Sequence, residues 1–578
     1  MAYTALRWIS TRKSILYSLT LYNCLYTDYT FTLLTEEEMK LVTVSQMKTI
    51  EKEADANGLT YDQMMENAGQ GLAEAIQDLP IEEGDREIFG LVGAGNNGGD
   101  TLVALSHLAA NGWQVRAYLV KRKNDALVKR LKDVGGEITS IDDDENFASL
   151  TEFLQTASVL LDGVFGTGIK LPLKEDVADV LAHALTILEE ADEPPFVVAV
   201  DCPSGMDCDT GEAADECIPA DLTVTMAAVK QGLLKLPAYE LVGDLQVVDI
   251  GLSDDLESWA SLGTEVAEEE MVAGLLPERS LDSHKGTFGT ALIVAGSVNY
   301  TGAALLSGQA ACRVGAGLVT LAVPSPLHAA LSGQFPEATW ILLPHEVGVV
   351  SANAAEVLVK NLERATAMLV GPGFGIENTT KEFIENLLAG KSMPKKAGGR
   401  IGFVHADGEA KESPSLKLPP LVFDADGLKL LSSIKDWYKL LPAPAVLTPH
   451  PGEMSVLTGL STEEIQQDRF GIASRFAKEW NHVVVLKGAF TLIASPDGRV
   501  TVIPVASPAL AHAGTGDVLA GLIVGLRAQG LDAFDAAVAG AWIHAQAGLY
   551  AAEDLGTTAS VLASDVLNSV VDVLSDLE

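Results

Sequence analysis

Apolar residues along the chain fall in short unbroken runs, separated by glycine-rich turns and by stretches with helical spacing. That rhythm is the one expected of parallel strands buried on both faces. In the first half, Val44, Met47, Ile50 and Ala54 share a helix face, and a second helix runs through Met64, Met65, Glu66, Asn67, Ala68 and Gly69. Asn67 is there either a satisfied buried polar group or a substrate-facing amide. Ile88 to Val92 predicts a strand, Gly93 to Asp100 a turn, and Thr101 to Ala110 a helix, with further strands over Gln114–Val120, Val159–Asp162 and Phe196–Asp201. In the second half strands are expected at Thr290–Ala295, Leu318–Val323, Ala367–Val370, Leu421–Phe423, Ala445–Leu447 and Val483–Leu486, and a long helix of small residues from Tyr300 to Val314. Strands alternating with helices predict an α/β protein with parallel sheets.

A chain of 578 residues exceeds one core and predicts at least two domains. The acidic, apolar-poor run Ser253 to Glu270 reads as their connection, and a second domain begins near Leu276 and Pro277. The expected layout is therefore an extension outside the fold over 1–38, a first domain over 39–252, a linker over 253–275 and a second domain over 276–578. Residues 1–38 carry Tyr3, Tyr17, Tyr22, Tyr26 and Tyr29 among serines and threonines. Arg7, Arg12 and Lys13 precede a stretch too polar for a signal peptide, and Met39 is an alternative start. Residues 392–418, rich in Lys, Gly and Ser, read as a surface insertion.

The formal charge of −40 argues against a nucleic-acid partner, since a polyanion needs a basic stripe that the sequence lacks. The same acidity fits either a high-salt cytoplasm or an ordinary acidic soluble enzyme. No run of 18 apolar residues is present, so no membrane span is expected. Cys24, Cys202, Cys208, Cys217 and Cys312 form no C-x-x-C pair, which points away from a disulfide framework or zinc site and toward a reducing cytoplasm.

The candidate chemistry sits on turns. Residues 509–521 place His512, Gly514, Thr515, Gly516 and Asp517 before an apolar helix. Two glycines and a helix N-terminus make an anion site, and a carboxylate beside it reads either as a general base or as a residue that favours the helix dipole. Lys487-Gly-Ala-Phe-Thr491, straight after a strand, suggests a second phosphate-type loop. In the first half, Gly93, Gly95 and Gly98 satisfy G-x-G-x-x-G. A redox Rossmann site would want an acid after the next strand, but the chain has Lys121-Arg122-Lys123 there, and its turn carries Asn96, Asn97 and Asp100. Asp162 and Asp201 stand at strand ends. With Asn97 and Ser204, Asp162 could ligate a monovalent or divalent cation, leaving Asp201 free for proton transfer.

Taken together, Gly95-Asn-Asn-Gly-Gly-Asp100, Asp162, Gly166-Thr-Gly168 and Asp201-Cys-Pro-Ser-Gly205 resemble the NAD(P)H-hydrate epimerase family. His284-Lys-Gly286, Gly371-Pro-Gly373, Thr448-Pro-His-Pro-Gly-Glu453, Lys487-Gly488 and Gly514-Thr-Gly-Asp517 are similar to ADP- or ATP-dependent NAD(P)H-hydrate dehydratases. Their order resembles bifunctional nicotinamide nucleotide repair enzymes. The resemblance implies an N-terminal Rossmann-like three-layer domain and a C-terminal ribokinase-like three-layer domain. It implies that Asn96, Asn97, Gly98, Gly99 and Asp100, with Gly166, Thr167, Gly168, Ile169, Lys170, Leu171 and Pro172, hold the hydrated dinucleotide. It further implies potassium at Asn97, Asp162 and Ser204, and Asp201 near the epimerising carbon. In the second domain it implies that Ala303, Gly373, His450 and Asp517 contact the hydrate, and that Lys487, Gly488, Ala489, Phe490, Thr491 and Gly516 hold the nucleotide.

The implied substrates are NADHX and NADPHX, with magnesium on an ADP or ATP donor, ADP favoured. A cytoplasmic homo-oligomer without membrane or nucleic-acid partners is expected. Asp517 and Asp201 are the expected catalytic residues. The rival for the second domain is a kinase that releases a stable phosphate ester of a small alcohol; for the first, a binding module without turnover or, last, an oxidoreductase.

Overall fold

The apolar runs do form parallel strands in the computed structural model, which describes residues 39–389 and 417–578. Two compact units divide at Leu262 and Gly263. The extension over 1–38 lies outside the described residues, as does most of the 392–418 insertion.

In the first unit, α1 (Val44–Ala56) and α2 (Tyr61–Gln77) each start from a threonine capping box, Thr43 with Gln46 and Thr60 with Gln63. Strand β1 (Glu87–Val92) leads into α3 (Asn96–Ala110), followed by β2 (Gln114–Leu119), β3 (Glu137–Ser140), β4 (Val159–Gly163), β5 (Phe196–Val200), β6 (Leu222–Met226) and β7 (Asp244–Val248). Every neighbouring pair is parallel, in the order β3-β2-β1-β4-β5-β6-β7. The order reverses between β1 and β4, where α/β sheets bind ligands. Alternation along each strand explains the layers. Ile88, Val92, Leu161 and Val198 pack on one face, and Phe89, Leu91, Leu160 and Val197 on the other. Helix α3 begins at Asn96, five residues earlier than its apolar pattern predicts, so the expected turn is largely its first turn.

The second unit holds a ten-stranded sheet. Its strands are β8 (Thr264–Val266), β9 (Thr290–Val294), β10 (Leu318–Pro324), β11 (Thr339–Leu343), β12 (Ala367–Val370), β13 (Leu421–Phe423), β14 (Val446–Leu447), β15 (Val483–Leu486), β16 (Leu492–Ala494) and β17 (Val500–Val502). The order is β8-β17-β16-β15-β14-β13-β12-β9-β10-β11, antiparallel only where β16 meets its neighbours β15 and β17. Helices α4 (Thr301–Arg313), α5 (Pro451–Thr458), α6 (Thr515–Ala528) and α7 (Ala533–Leu555) frame the site. Ala291, Ile293, Leu369 and Val485 share a core with α4, α6 and α7, while Leu292, Val294, Met368 and Val370 are buried on the alternate face. Helix α6 packs closely on α4 because a Cβ at Gly521 would meet the Ser307 carbonyl oxygen at 2.3 Å.

The acidic stretch expected to be a linker over 253–275 is folded at both ends. Glu257 and Ser258 donate their backbone N–H groups to the Glu53 carboxylate, and Trp259 and Leu262 join the first core. Thr264–Val266 is an edge strand, with Val266 and Val272 fully buried in the second unit. A few apolar anchors among acids suffice for this, which mean composition conceals. No helix among the described residues is long and apolar enough to cross a membrane.

Candidate functional site

Each unit gathers polar groups at the carboxyl ends of its parallel strands. In the first, Asn97 donates its amide to the Phe165 carbonyl at 2.9 Å and the Val200 carbonyl at 2.6 Å. The Phe165 N–H donates to Ser204 Oγ at 2.9 Å, and the Ser204 N–H to Asp162 Oδ2 at 2.8 Å. Asn97, Asp162 and Ser204 are thus brought together around one loop. Asp162 is fully buried, its Oδ1 has no hydrogen-bond partner, and burial pushes its carboxyl up despite the Ser204 bonds. An orphaned buried carboxylate oxygen beside an amide and a hydroxyl fits a bound monovalent cation.

The glycines explain how closely this turn is built. A Cβ on Gly98 would stand 2.0 Å from the Gly93 carbonyl oxygen, and one on Gly166 2.1 Å from Asn97 Oδ1. Both contacts involve atoms that cannot move without dismantling the turn. Gly98→Ala is therefore expected to destabilise the first unit by about 3 kcal/mol, the upper range for overpacking. Two-unit thermal unfolding should show only the first transition lowered; an unchanged first transition would contradict the packing.

Arg122 braces the same turn, donating to the Gly93 carbonyl at 3.1 Å and the Gly95 carbonyl at 3.0 Å, with Asp125 as its charge partner at 2.8 Å. Gly99 and Asp100 are buried beside Asn97, Asn96 is exposed, and Gly166 to Pro172 run as a half-exposed loop. Asn67 takes the bland role: its amide donates to the Ile250 carbonyl at 2.9 Å.

Asp201 follows β5 with φ +65° and is buried. It meets a residue that the sequence did not single out, Lys230, whose ammonium donates to Asp201 Oδ1. Glu51 on α1 was likewise missed, hidden within an ordinary helical pattern. Burial first, then the charges of Asp201 and Glu51, hold the Asp100 carboxyl well above the usual carboxylate range.

In the second unit, four adjacent strands, β12 to β15, deliver Gly371, Asp424, Thr448 and Lys487 just past their ends. The Lys487 ammonium donates to Asp424 Oδ1 at 2.8 Å and lies 3.7 Å from Glu453 Oε2. Thr448 Oγ1 also donates to Asp424 Oδ1, at 2.7 Å. Burial alone would lower the Lys487 pKa, but Asp424, Glu453 and Asp517 together raise it. Asp517 lies in the first turn of α6, after Gly514 with φ +95°. A Cβ on Gly516 would be 3.7 Å from Lys487 Nζ, so the glycine turn and the ammonium line one space. Burial first, then repulsion from Asp424, raises the Asp517 carboxyl to about 7, with Lys487 opposing.

The expected hydrate contacts surround this space. His450 caps α5, accepting the Gly452 N–H at Nδ1, and is held below its usual pKa by burial. Gly373, with φ +65°, leaves only 2.8 Å between a Cβ and Ala303 Cβ. Ala303 lies one turn before Leu306 on α4, and Leu306 reaches Gly514. Lys487 to Thr491 form a tight turn in which the Thr491 hydroxyl donates to the Gly488 carbonyl at 2.9 Å. Its hidden brace is Arg469, which donates to the Leu486 carbonyl at 3.0 Å and whose pKa burial lowers to about 10. No local signal marks this role of Arg469, because the carbonyls it braces lie 17 and 18 residues away.

This arrangement sets a buried carboxyl, Asp517, at the start of a helix and on the same space as the Lys487 ammonium. The family model of the YjeF-related protein N-terminus matches residues 61–232, and that of NAD(P)H-hydrate dehydratase matches 291–394 and 406–570. The bifunctional NAD(P)H-hydrate repair enzyme Nnr of Moorella thermoacetica is 34% identical over 549 residues, covering 93% of this chain and 97% of its own. That of Thermofilum pendens is 34% identical over 529 residues, 90% and 93% respectively. The solved ADP/ATP-dependent NAD(P)H-hydrate dehydratase from Bacillus subtilis, co-crystallized with ATP/Mg2+, is 30% identical, covers 54% of this chain and 98% of its own, and gives a TM-score of 0.43.

Proposed function

The chain belongs to the family of bifunctional NAD(P)H-hydrate repair enzymes, an epimerase joined to an ADP- or ATP-dependent dehydratase, and from that premise we propose how its two sites share the work. The first unit interconverts the R and S hydrates at carbon 6. The second phosphorylates the hydroxyl of the S hydrate and expels phosphate, returning NADH or NADPH. The supporting observation is Asp517, raised to about 7 on a glycine turn beside Lys487.

Hydroxide is a poor leaving group, whereas phosphate is a good one. Asp517 takes the proton of the substrate hydroxyl as the hydroxyl oxygen attacks the terminal phosphorus of the nucleotide, and the backbone N–H groups of Gly514 and Gly516 stabilise charge on the transferring group. Lys487 neutralises the phosphates and holds Asp424 and Glu453 in register. The bond from carbon 6 to the ester oxygen then breaks and phosphate leaves as the ring nitrogen donates its electron pair, and loss of a carbon 5 proton restores the double bond. Magnesium on the nucleotide would neutralise phosphate charge.

In the first unit, Asn97, Asp162 and Ser204 would hold potassium, which supplies fixed positive charge. The loop from Gly166 to Pro172 and the amides of Asn96 to Asp100 bind the dinucleotide. ADP is the preferred donor, and the setting is cytoplasmic.

The donor is tested by incubating purified protein with S-NADHX, magnesium and either nucleotide, and by measuring nucleotide products and inorganic phosphate. ADP is expected to yield AMP, phosphate and NADH in equal amounts. A stable phosphorylated alcohol without NADH would overturn the repair reading in favour of a small-molecule kinase. Asp162→Asn should abolish potassium dependence of epimerisation while leaving dehydration unchanged.

A further inference from the structure

Lys230 is only 1% exposed, an uncommon place for a lysine. The backbone carries it there, because Leu41–Val42 pairs in parallel with Val229–Lys230. Its ammonium has an acceptor for every N–H: the Asp201 carboxylate, Thr225 Oγ1 at 2.9 Å and the Met226 carbonyl at 2.8 Å. None is left over for a substrate.

Asp201 is held just as fully, but on one side. The Thr225 hydroxyl at 3.1 Å, the Met226 N–H at 3.2 Å and Lys230 all donate to Oδ1. Oδ2 receives none of these bonds, and the side chain keeps 9% exposure. Around the pair stand Glu51 and Lys48 from α1, Asp100 from α3, Arg122 from the turn after β2, and the buried thiols of Cys202 and Cys208. Burial first, with Asp201 opposing Lys230, also raises the Glu51 carboxyl.

We propose, resting on the epimerase reading of the first unit, that Lys230 is a positioning residue that fixes Asp201 with Oδ1 occupied and Oδ2 free as proton acceptor, with Asp100 of the same buried cluster as proton donor. The hydrate carries its hydroxyl on the carbon next to the ring nitrogen. The carbon–oxygen bond breaks as the nitrogen lone pair forms a C=N bond, and the hydroxyl leaves as water with the proton of Asp100. Water adds to the other face, re-forming the C–O bond and returning the electron pair to nitrogen, while its proton passes to Asp201. A proton shift from Asp201 to Asp100 through solvent closes the cycle, with no net gain or loss of atoms.

The test uses the full chain with Lys230→Met, Lys230→Arg and Asp100→Asn, and follows R-to-S conversion against pH by chiral separation. Lys230→Met is expected to lower kcat about 100-fold, with KM changed less than about threefold, because the lysine touches no substrate. The acid limb of its profile should move to higher pH, because the buried carboxylate loses the ammonium that faces it. Lys230→Arg should restore most of that limb. Asp100→Asn should lose the alkaline limb, and it keeps the volume of the native residue, so it serves even where Lys230→Met fails to fold.

A wild-type acid limb in Lys230→Met, or a wild-type alkaline limb and kcat in Asp100→Asn, overturns the proposal. Wild-type protein that interconverts no epimers would instead overturn the epimerase reading itself.

Discussion

Exchanging Asp517 for asparagine is expected to slow dehydration of the S hydrate about a thousandfold, the middle of the range for a general base held in place, with nucleotide binding changed less than about threefold. With Asp517 as the proposed base, the wild-type rate should rise with pH through about 7, where its carboxyl ionises, and level off above it. The asparagine variant should lose that limb.

Stability should move the other way. The native state raises this carboxyl from 3.8 to about 7, so between those values the native protein keeps a proton that the unfolded chain has released. Asp517 therefore costs stability as pH rises through that window, and the cost is complete above it. Asparagine carries no charge and escapes the cost. Thermal unfolding should show Asp517→Asn gaining on wild type between acid and neutral pH and staying ahead at pH values above the window. A gap that does not depend on pH would show that the carboxyl is not displaced.

The second large effect is expected at Lys487. Its ammonium lies against Asp424 at 2.8 Å and Glu453 at 3.7 Å, two carboxylates that are almost wholly buried. Lys487→Met leaves them uncompensated, which costs about 3 kcal/mol, the low end for one broken buried pair because the lysine is partly exposed. The native site raises the Lys487 pKa, so the stability it supplies is complete at neutral pH and is lost only as alkali removes its proton; the gap between variant and wild type should be full at neutral pH and narrow in alkali. Catalysis should fall about 100-fold or more, since the phosphates lose a fixed positive charge. Calorimetry across pH, together with kcat at saturating ADP and magnesium, checks both. A variant as stable as wild type at neutral pH would mean that Lys487 does not neutralise the cluster.

What could be read from the sequence was local. The strand ends that carry Asp162, Asp201 and Lys487, and the glycine turn before Asp517, were legible because an apolar run bounded by glycine or acid specifies its own conformation. The start of α3 at Asn96 was not, because its first turn is rich in glycine and lacks apolar periodicity. Lys230 and Glu51 were hidden for a different reason. Each sits in an unremarkable pattern, and only the pairing of residues 41–42 with 229–230 and the packing of α1 bring them to Asp201. Arg469 is the same case in the second unit, a helix-start arginine whose carbonyl partners belong to β15 and the turn after it. The stretch from Ser253 to Leu275 misled in the other direction: its acids set the composition, while Trp259, Val266 and Val272 decide where it folds.

The most direct test of one chain with two cooperating activities follows the near-ultraviolet absorbance of reduced nicotinamide. The full chain is given a mixture of R- and S-NADHX with magnesium, potassium and ADP. Recovery should proceed to the whole of the hydrate supplied, and Asp201→Asn should stop it at the S fraction plus slow spontaneous epimerisation. Wild-type recovery that itself halts at the S fraction would contradict epimerisation by the first unit, and no recovery with either nucleotide would contradict the account as a whole.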